Sequence, residues 1–342
     1  RIENTPIEAK FVKYHLTHIK LSKSGFFYGK NNYLCSLIYN KKFLQTMINR
    51  ILIRIKVLQI VYSYYQNGNG DLKVAENELL FSLQKSYDLY YYFLLLVIEV
   101  TNLQRRILDT RKCKYMPTDE ELNPNTRFID NRFVAQLAEN DTLKKYVDEQ
   151  GLSWSNDEEF IKNVLDTILS SEIYAEYLKN EEDSYETDRE FWRQIFKKII
   201  CGNEMIEEYL EDKSIYWNDD IEIVETFALK TIKKFEEKKG SKQALLPMFK
   251  DLEDKAFAIK LFRQSLLKGK EYRERIDKHM KNWETERIAN MDLIIMQVAL
   301  AEILSFPTIP INVTLNEYID AAKYYSTPKS LSLIHISEPT RH

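Results

Sequence analysis

The chain has 342 residues, which allows one or two domains with a sizeable core, and its formal net charge is only −3. Glycine and proline number eight each. Leucine, isoleucine, lysine and glutamate dominate, a composition that favours an all-α protein. Residues 47–330 carry 40 basic and 49 acidic residues. A body of that sign excludes a general polyanion binder, so any nucleic-acid site must be a local basic patch.

The chain carries few residues for covalent or metal chemistry. It has no glycine-rich nucleotide loop, and residues 47–330 hold one histidine, too few for a tetrahedral zinc site or a His-based triad. The three cysteines, Cys35, Cys113 and Cys201, show no pairing pattern and fit a reducing cytosol. No signal peptide or transmembrane run occurs, since the apolar run 89–98 has only ten residues. We therefore predict a cytoplasmic, non-enzymatic binding protein without cofactor or metal.

The first regular element begins after Met47. Residues 1–46 have no sustained period and carry a charge of +6, so we expect non-native upstream translation or a disordered extension, with a genuine basic extension as the alternative. From Ile48 to Tyr65 the apolar residues recur at helical spacing, which predicts one helix. Arg50 and Arg54 are neighbours on it because they lie four residues apart.

The middle of the chain reads as further helices separated by loops. The pattern over residues 71–112 predicts a helix pair or one long helix, with a break near Tyr87 and Asp88. Two more helices are predicted over 128–150 and 158–178. The segments 188–210 and 254–280 resemble each other weakly and are separated by the linker 236–241.

A nearly all-apolar helix dominates the last part of the chain. Between Leu293 and Leu304 only Gln297 and Glu302 are polar, which predicts a central core helix. Pro307 ends it, because the residue before a proline is driven out of the helical region. Thr314 and the glutamate three residues later form a capping-box pattern, which predicts a second helix beginning there and running to about residue 325.

This C-terminal stretch carries a family resemblance through the order and spacing of a motif set: Asn282-Trp283, Arg287, Asp292, Ala299, Glu302-Ile303-Leu304, Pro310, Val313, Asn316-Glu317 and Ala322-Lys323. The set resembles the C-terminal half of NusB-type transcription antitermination proteins. The first helix, with Arg54 and then Gln59-Ile60-Val61-Tyr62, resembles their arginine-rich first helix. The resemblance implies an all-α, NusB-like helical bundle in which extra helices are inserted between the first helix and the C-terminal half.

The resemblance also implies a division of the chain. We expect N-terminal helices over 47–116, a helical insertion over 117–250 and a C-terminal NusB-like subdomain over 251–330. Residues 331–342, LSLIHISEPTRH, have the sequence expected from translation of a sequencing-library adaptor. We therefore expect the gene to be truncated after Ser330, with adaptor sequence translated behind it, and the tail to be excluded from the fold.

The function implied by the resemblance is antitermination during ribosomal RNA transcription. Its partners would be boxA-type single-stranded RNA, the ribosomal protein NusE and the RNA polymerase elongation complex. The resemblance places RNA contacts at Arg50, Arg54, Lys56 and Lys323, and the protein-partner face at Tyr62 and Asp292. Two alternatives remain: the NusB-like domain of an RNA cytosine methyltransferase, and a helical interaction scaffold that binds no RNA.

Overall fold

The computed structural model of the chain describes residues 47–68, 70–279 and 290–325. The predictions for 1–46, Asn282-Trp283, Arg287 and 331–342 lie outside these residues. Within the described ranges the chain forms helices and no strand, so the all-α prediction is confirmed. The α-helices are α1 Arg50–Gln66, α2 Leu72–Lys112, α3 Asp119–Leu122, α4 Arg132–Ala138, α5 Asp141–Gln150, α6 Glu158–Leu169, α7 Glu172–Lys179, α8 Tyr185–Ile195, α9 Glu204–Lys213, α10 Ile221–Lys234, α11 Leu252–Leu267, α12 Gly269–His279, α13 Asn290–Ser305 and α14 Ile311–Tyr325. None of these helices is both long and apolar enough to cross a membrane.

Helix α2 is continuous over 41 residues, so the break predicted near Tyr87 and Asp88 is absent. The Asp88 carboxylate accepts hydrogen bonds from Lys85 Nζ at 2.8 Å and from Tyr146 Oη at 2.7 Å. An aspartate weakens a helix when its side chain competes for backbone groups. Here these two side chains occupy the carboxylate, and the helix continues.

Two regions predicted as single helices are each split by a capping residue. Asn140 separates α4 from α5, and its side-chain oxygen accepts the Leu143 N–H at 3.0 Å. Ser171 separates α6 from α7, and its hydroxyl accepts the Tyr174 N–H at 3.2 Å. A polar residue inside an apolar period can therefore begin a new helix as well as sit within one.

The chain divides into two compact units, which we describe separately. Among the described residues, the first unit comprises 48–84 and 249–325, and the second comprises Met47 and 85–248. The boundary between them falls inside α2. The division at residues 116 and 250 expected from the family resemblance stays a prediction.

The first unit is built around α13, as predicted from its apolarity. This helix packs against α1, α11, α12 and α14. Val298 and Ala301 are fully buried within it. Its two internal polar side chains, Gln297 and Glu302, are fully buried as well.

The start of α14 differs from the prediction. The helix begins at Ile311, and the carbonyl of Pro310 accepts the N–H groups of Val313 at 2.9 Å and Thr314 at 3.3 Å. Thr314 therefore lies in the first turn, where its hydroxyl donates to Glu302 Oε1 at 2.9 Å. The capping box is not formed because this hydroxyl serves a buried carboxylate.

The second unit has an aromatic core. Trp154, Trp192 and Trp217 are almost fully buried there. Tyr90 and Tyr91 are buried against each other with ring centroids 5.3 Å apart in an edge-on arrangement. Aromatic pairs in this geometry add to the stability that area burial supplies. Tyr90 and Tyr91 of α2 are therefore part of the core of the second unit.

Candidate functional site

The first unit contains a buried ionic network between α1, α13 and α14. Arg54 donates to Glu302 through two nitrogens, Nε to Oε2 at 2.8 Å and Nη2 to Oε1 at 2.6 Å. The hydroxyls of Thr314 and Tyr318 each donate to the same carboxylate at 2.9 Å. Glu317 lies 3.7 Å from Arg54 Nη1. A bidentate arginine–carboxylate pair with further donors is the geometry in which buried charges are compensated.

The electrostatics of this network shift the pKa values of Arg54 and Tyr318. Burial alone would lower the pKa of the Arg54 guanidinium, but the hydrogen bonds and charge of Glu302 outweigh it, and the pKa is raised. Burial, followed by the Glu302 charge, raises the pKa of Tyr318 well above its ordinary value. Tyr318 therefore stays a neutral donor and Arg54 stays charged. The network has a structural role, because its hydrogen bonds connect α1, α13 and α14.

The structure separates the four predicted RNA-contacting cations into two groups. Arg54 is 5% exposed and Lys56 is 1% exposed, so neither lies on a solvent-facing surface of the described fold. The side chain of Arg50 is 42% exposed and that of Lys323 is 35% exposed. Arg50 and Lys323 are therefore the two that solvent, and a phosphate, can reach.

Both exposed cations are held by a neighbouring acid. Arg50 Nε lies 3.3 Å from Asp254 Oδ1, and its guanidinium lies 4.9 Å from the centroid of the Phe257 ring. Lys323 Nζ lies 2.8 Å from Asp320 Oδ1. Ion pairs at such exposure contribute little to stability, so both cations could exchange their carboxylate for a phosphate at small cost.

A second polar cluster, which the sequence did not predict, joins α1, α11, α12 and α13. The Gln297 amide donates to Tyr65 Oη at 2.9 Å and to the Ser265 carbonyl at 2.7 Å. Arg273 Nε donates to Gln297 Oε1 at 2.8 Å, and its guanidinium stacks 4.0 Å from the Tyr65 ring centroid. The signal for it was Gln297 itself, a polar residue inside an all-apolar helix.

The predicted protein-partner residues lie in different environments. Tyr62 is half-buried on α1, one turn before the Tyr65 cluster. Asp292 is only 2% exposed, near the start of α13. Among the described residues, neither of its carboxylate oxygens has a hydrogen-bond partner. Asp292 is therefore a buried acid and not an exposed surface charge.

The described residues offer no metal centre. No group of three or more histidine, cysteine, aspartate or glutamate side chains within these ranges is arranged to hold a metal ion. Every contact in the two clusters above is a hydrogen bond, an ion pair or a ring contact. What the first unit offers is a rigid helical surface carrying reachable cations.

Comparison with known proteins shows that one segment of the chain is similar to a known family. Residues 223–334 match the model of the NusB family. The match begins at Ile223 in α10, earlier than the expected start of the NusB-like subdomain at residue 251, and it does not include α1. No solved structure matches the chain.

Several curated relatives carry the name transcription antitermination protein NusB. The protein from Salinibacter ruber is 39% identical over 90 residues, which is 26% of this chain and 56% of that protein. The protein from Koribacter versatilis is 38% identical over 88 residues, 25% of this chain and 60% of that protein. The protein from Bacillus subtilis is 39% identical over 62 residues, 18% of this chain and 47% of that protein. The chain thus spans about half the length of the curated relatives it matches.

The last third of this chain is therefore helical in its described residues and similar in sequence to NusB proteins. Over this segment the chain is similar to the NusB family.

Proposed function

We propose that this chain is a non-enzymatic transcription antitermination factor of the cytoplasm. It binds boxA-type single-stranded RNA together with NusE and joins the RNA polymerase elongation complex during ribosomal RNA synthesis. The observation that carries the proposal is the match of residues 223–334 to the NusB family, whose curated relatives bear the antitermination name. The acidic balance of the chain agrees with a local RNA site, since such a body repels polyanions elsewhere.

The proposed RNA contacts are Arg50 and Lys323, because both are reachable from solvent. Arg54 and Lys56 then contribute indirectly, Arg54 by holding α1 against α13 and α14 through Glu302. Tyr62 and Asp292 remain the proposed partner positions. An Arg guanidinium can meet a phosphate or stack on an unpaired base, which suits single-stranded RNA.

The experiment is fluorescence anisotropy of a labelled boxA-type RNA, titrated with the protein in the presence and absence of NusE. We expect binding that NusE strengthens, with a logarithmic salt slope of about −1 to −2 for two phosphate contacts. The double variant Arg50→Ala/Lys323→Ala should weaken binding by about tenfold or more, while the fold is retained.

A matched control removes two cations from the same unit outside the proposed site. Arg263 pairs with Glu76 and is 53% exposed at its side chain, and Lys268 is exposed. The variant Arg263→Ala/Lys268→Ala should bind RNA almost as the parent does. If the parent protein binds no boxA-type RNA with or without NusE, the proposed function is wrong, and the chain is better described as a helical scaffold.

A further inference from the structure

In the second unit, the ammonium group of Lys213 lies among three aromatic rings and one carboxylate. Lys213 is the last residue of α9 and precedes the segment that matches the family. Its Nζ lies 5.2 Å from the Trp154 ring centroid, 5.5 Å from that of Tyr92 and 6.0 Å from that of Tyr209. The same atom donates to Asp157 Oδ2 at 2.6 Å. We call the three rings and this carboxylate the lysine cage.

The walls of the lysine cage are held by contacts that do not involve the lysine. Trp154 Nε1 donates to the Tyr92 carbonyl at 3.1 Å, and the two rings meet edge-on with centroids 5.1 Å apart. The Tyr209 ring stacks on Phe160 at 4.0 Å, and Phe160 stacks on Trp154 at 5.3 Å. Rings fixed by neighbours in this way form a preorganised site for a cation.

The carboxylate of the cage is directed at the cation and away from its own helix. Asp157 is the N-cap residue of α6, where an aspartate side chain usually accepts an N–H of the first turn. Among the described residues, its side chain makes no such bond. Instead, Oδ1 accepts the Tyr209 hydroxyl and Oδ2 accepts Lys213 Nζ. The Asp157 side chain is only 9% exposed, so its charge acts chiefly within the cage.

The distances from the nitrogen to the rings suit a methylated ammonium group better than a bare one. Atoms in contact with a ring prefer a separation of about 3.5–4.0 Å. A methyl carbon adds about 1.5 Å between the nitrogen and the ring. A methylated nitrogen therefore lies about 5–5.5 Å from a ring that it contacts. The Trp154 and Tyr92 distances fall in that range.

The carboxylate limits the number of methyl groups that the cage accepts. The bond to Asp157 Oδ2 requires one N–H on the nitrogen. A mono- or dimethylated lysine keeps that N–H, whereas a trimethylated lysine has none and leaves a buried acceptor unpaired. Acetylation removes the positive charge, and with it both the ion pair and the cation–π contacts.

We propose that Lys213 is a site of Nζ-methylation, and that the lysine cage holds its mono- and dimethylated forms more firmly than the unmodified lysine. The side chain is 25% exposed at the end of α9, so it can leave the cage for the transfer. There the ammonium group loses a proton to solvent, and the Nζ lone pair attacks the methyl carbon of a sulfonium donor carried by a separate methyltransferase. The carbon–sulfur bond breaks, its electron pair stays on sulfur as a thioether, and the positive charge passes to the new methylammonium group.

The first experiment dimethylates the lysines of the full chain with ¹³C-formaldehyde and a borane reductant, and records a ¹H–¹³C correlation spectrum. We expect one methyl resonance shifted upfield of the others, because the rings of the cage shield it. This resonance should vanish in Lys213→Arg. It should persist in the matched control Lys145→Arg, which removes a lysine whose side chain is 75% exposed. A parent spectrum without a shifted resonance would overturn the proposal.

Two further measurements test the strength of holding and the modification itself. Dimethylation should raise the thermal midpoint of the parent relative to its effect on Lys213→Arg, because only the parent places methyl groups in the cage. An equal change in both proteins would show that the cage does not favour the methylated form. Peptide mass spectrometry of the protein from the cells that make it should find one or two methyl groups on Lys213. Finding only the unmodified lysine would overturn the assignment of a modification site.

Discussion

In the first unit, the buried carboxylate of Glu302 accepts four hydrogen bonds, two of them from the Arg54 guanidinium. In the second unit, the buried carboxylate of Glu225 accepts one, from a backbone N–H, and its strongest charged neighbour is another glutamate. Both side chains are almost fully hidden from solvent. A paired carboxylate fixes the helices around it, whereas an unpaired one makes the stability of its surroundings depend on pH.

The largest loss of stability should come from breaking the buried ion pair between Arg54 and Glu302. In Glu302→Gln, the Arg54 charge stays buried without its partner, which typically costs about 3–5 kcal/mol. We expect urea unfolding, followed by far-UV circular dichroism, to show this loss in the first unit. The double variant Arg54→Met/Glu302→Gln should lose less than the sum of the two single variants. Additive losses would mean that the two side chains are not coupled.

A smaller loss of stability should follow when a methyl group is added beside the second polar cluster of the first unit. A Cβ at Gly269 would lie 2.5 Å from Tyr65 Oη and 2.9 Å from Gln297 Nε2. Gly269→Ala should therefore destabilise the protein by about 1–3 kcal/mol, the usual cost of overpacking. Gly70→Ala is the control, because nothing lies within 4 Å of a Cβ at that position. A thermal midpoint for Gly269→Ala equal to that of the control would contradict the tight contact.

Because of Glu225, the buried carboxyl without a cationic partner, the stability of the protein should depend on pH. The pKa of Glu225 is raised in the folded state, so its stabilising contribution is complete below the unfolded pKa and is lost as pH rises through the folded pKa. Glu225→Gln should keep that contribution at every pH, so its midpoint should exceed the parent's at about pH 8 and converge on it near pH 4. The exposed substitution Glu176→Gln should not change the pH profile. A profile unchanged in Glu225→Gln would show that the carboxylate is compensated.

The smallest effect should come from the exposed ion pair of the first unit. Arg50→Ala removes the contact with Asp254, which is partly open to solvent. We expect a loss of about 0.2–1 kcal/mol, as is usual for such pairs. Chemical unfolding measures it, and Arg263→Ala provides a comparable surface pair with Glu76. A loss above that range would mean that Arg50 is structural, which would weaken its proposed role in RNA binding.

Hydrophobic periodicity predicted the central position of α13, but it could not predict the tertiary contacts of that helix. Near-continuous apolarity from Leu293 to Leu304 was enough to place α13 at the core. It also singled out Gln297 and Glu302, but not their partners, because the Arg54–Glu302 contact joins residues 248 positions apart. The Thr314 capping pattern was misleading for the same reason. Local motifs compete with tertiary bonds that no local window contains.

The cations on α1 show the same limit. Helical spacing made Arg50 and Arg54 neighbours, which is correct, but it did not distinguish a half-exposed side chain from a buried one. That distinction depends on which helices cover α1, and α13 and α14 lie more than two hundred residues further along the chain. The buried Glu225 oxygen without a hydrogen-bond partner could likewise be found only in the folded structure.

The placement of tryptophan gives the molecule a built-in optical label. The chain has four tryptophans, and three of them, Trp154, Trp192 and Trp217, are buried in the second unit. The described residues of the first unit contain none. With Trp283→Phe, intrinsic emission would report only the second unit, while circular dichroism reports the helices of both. Two melting curves from one sample would then show whether the units unfold together or in succession.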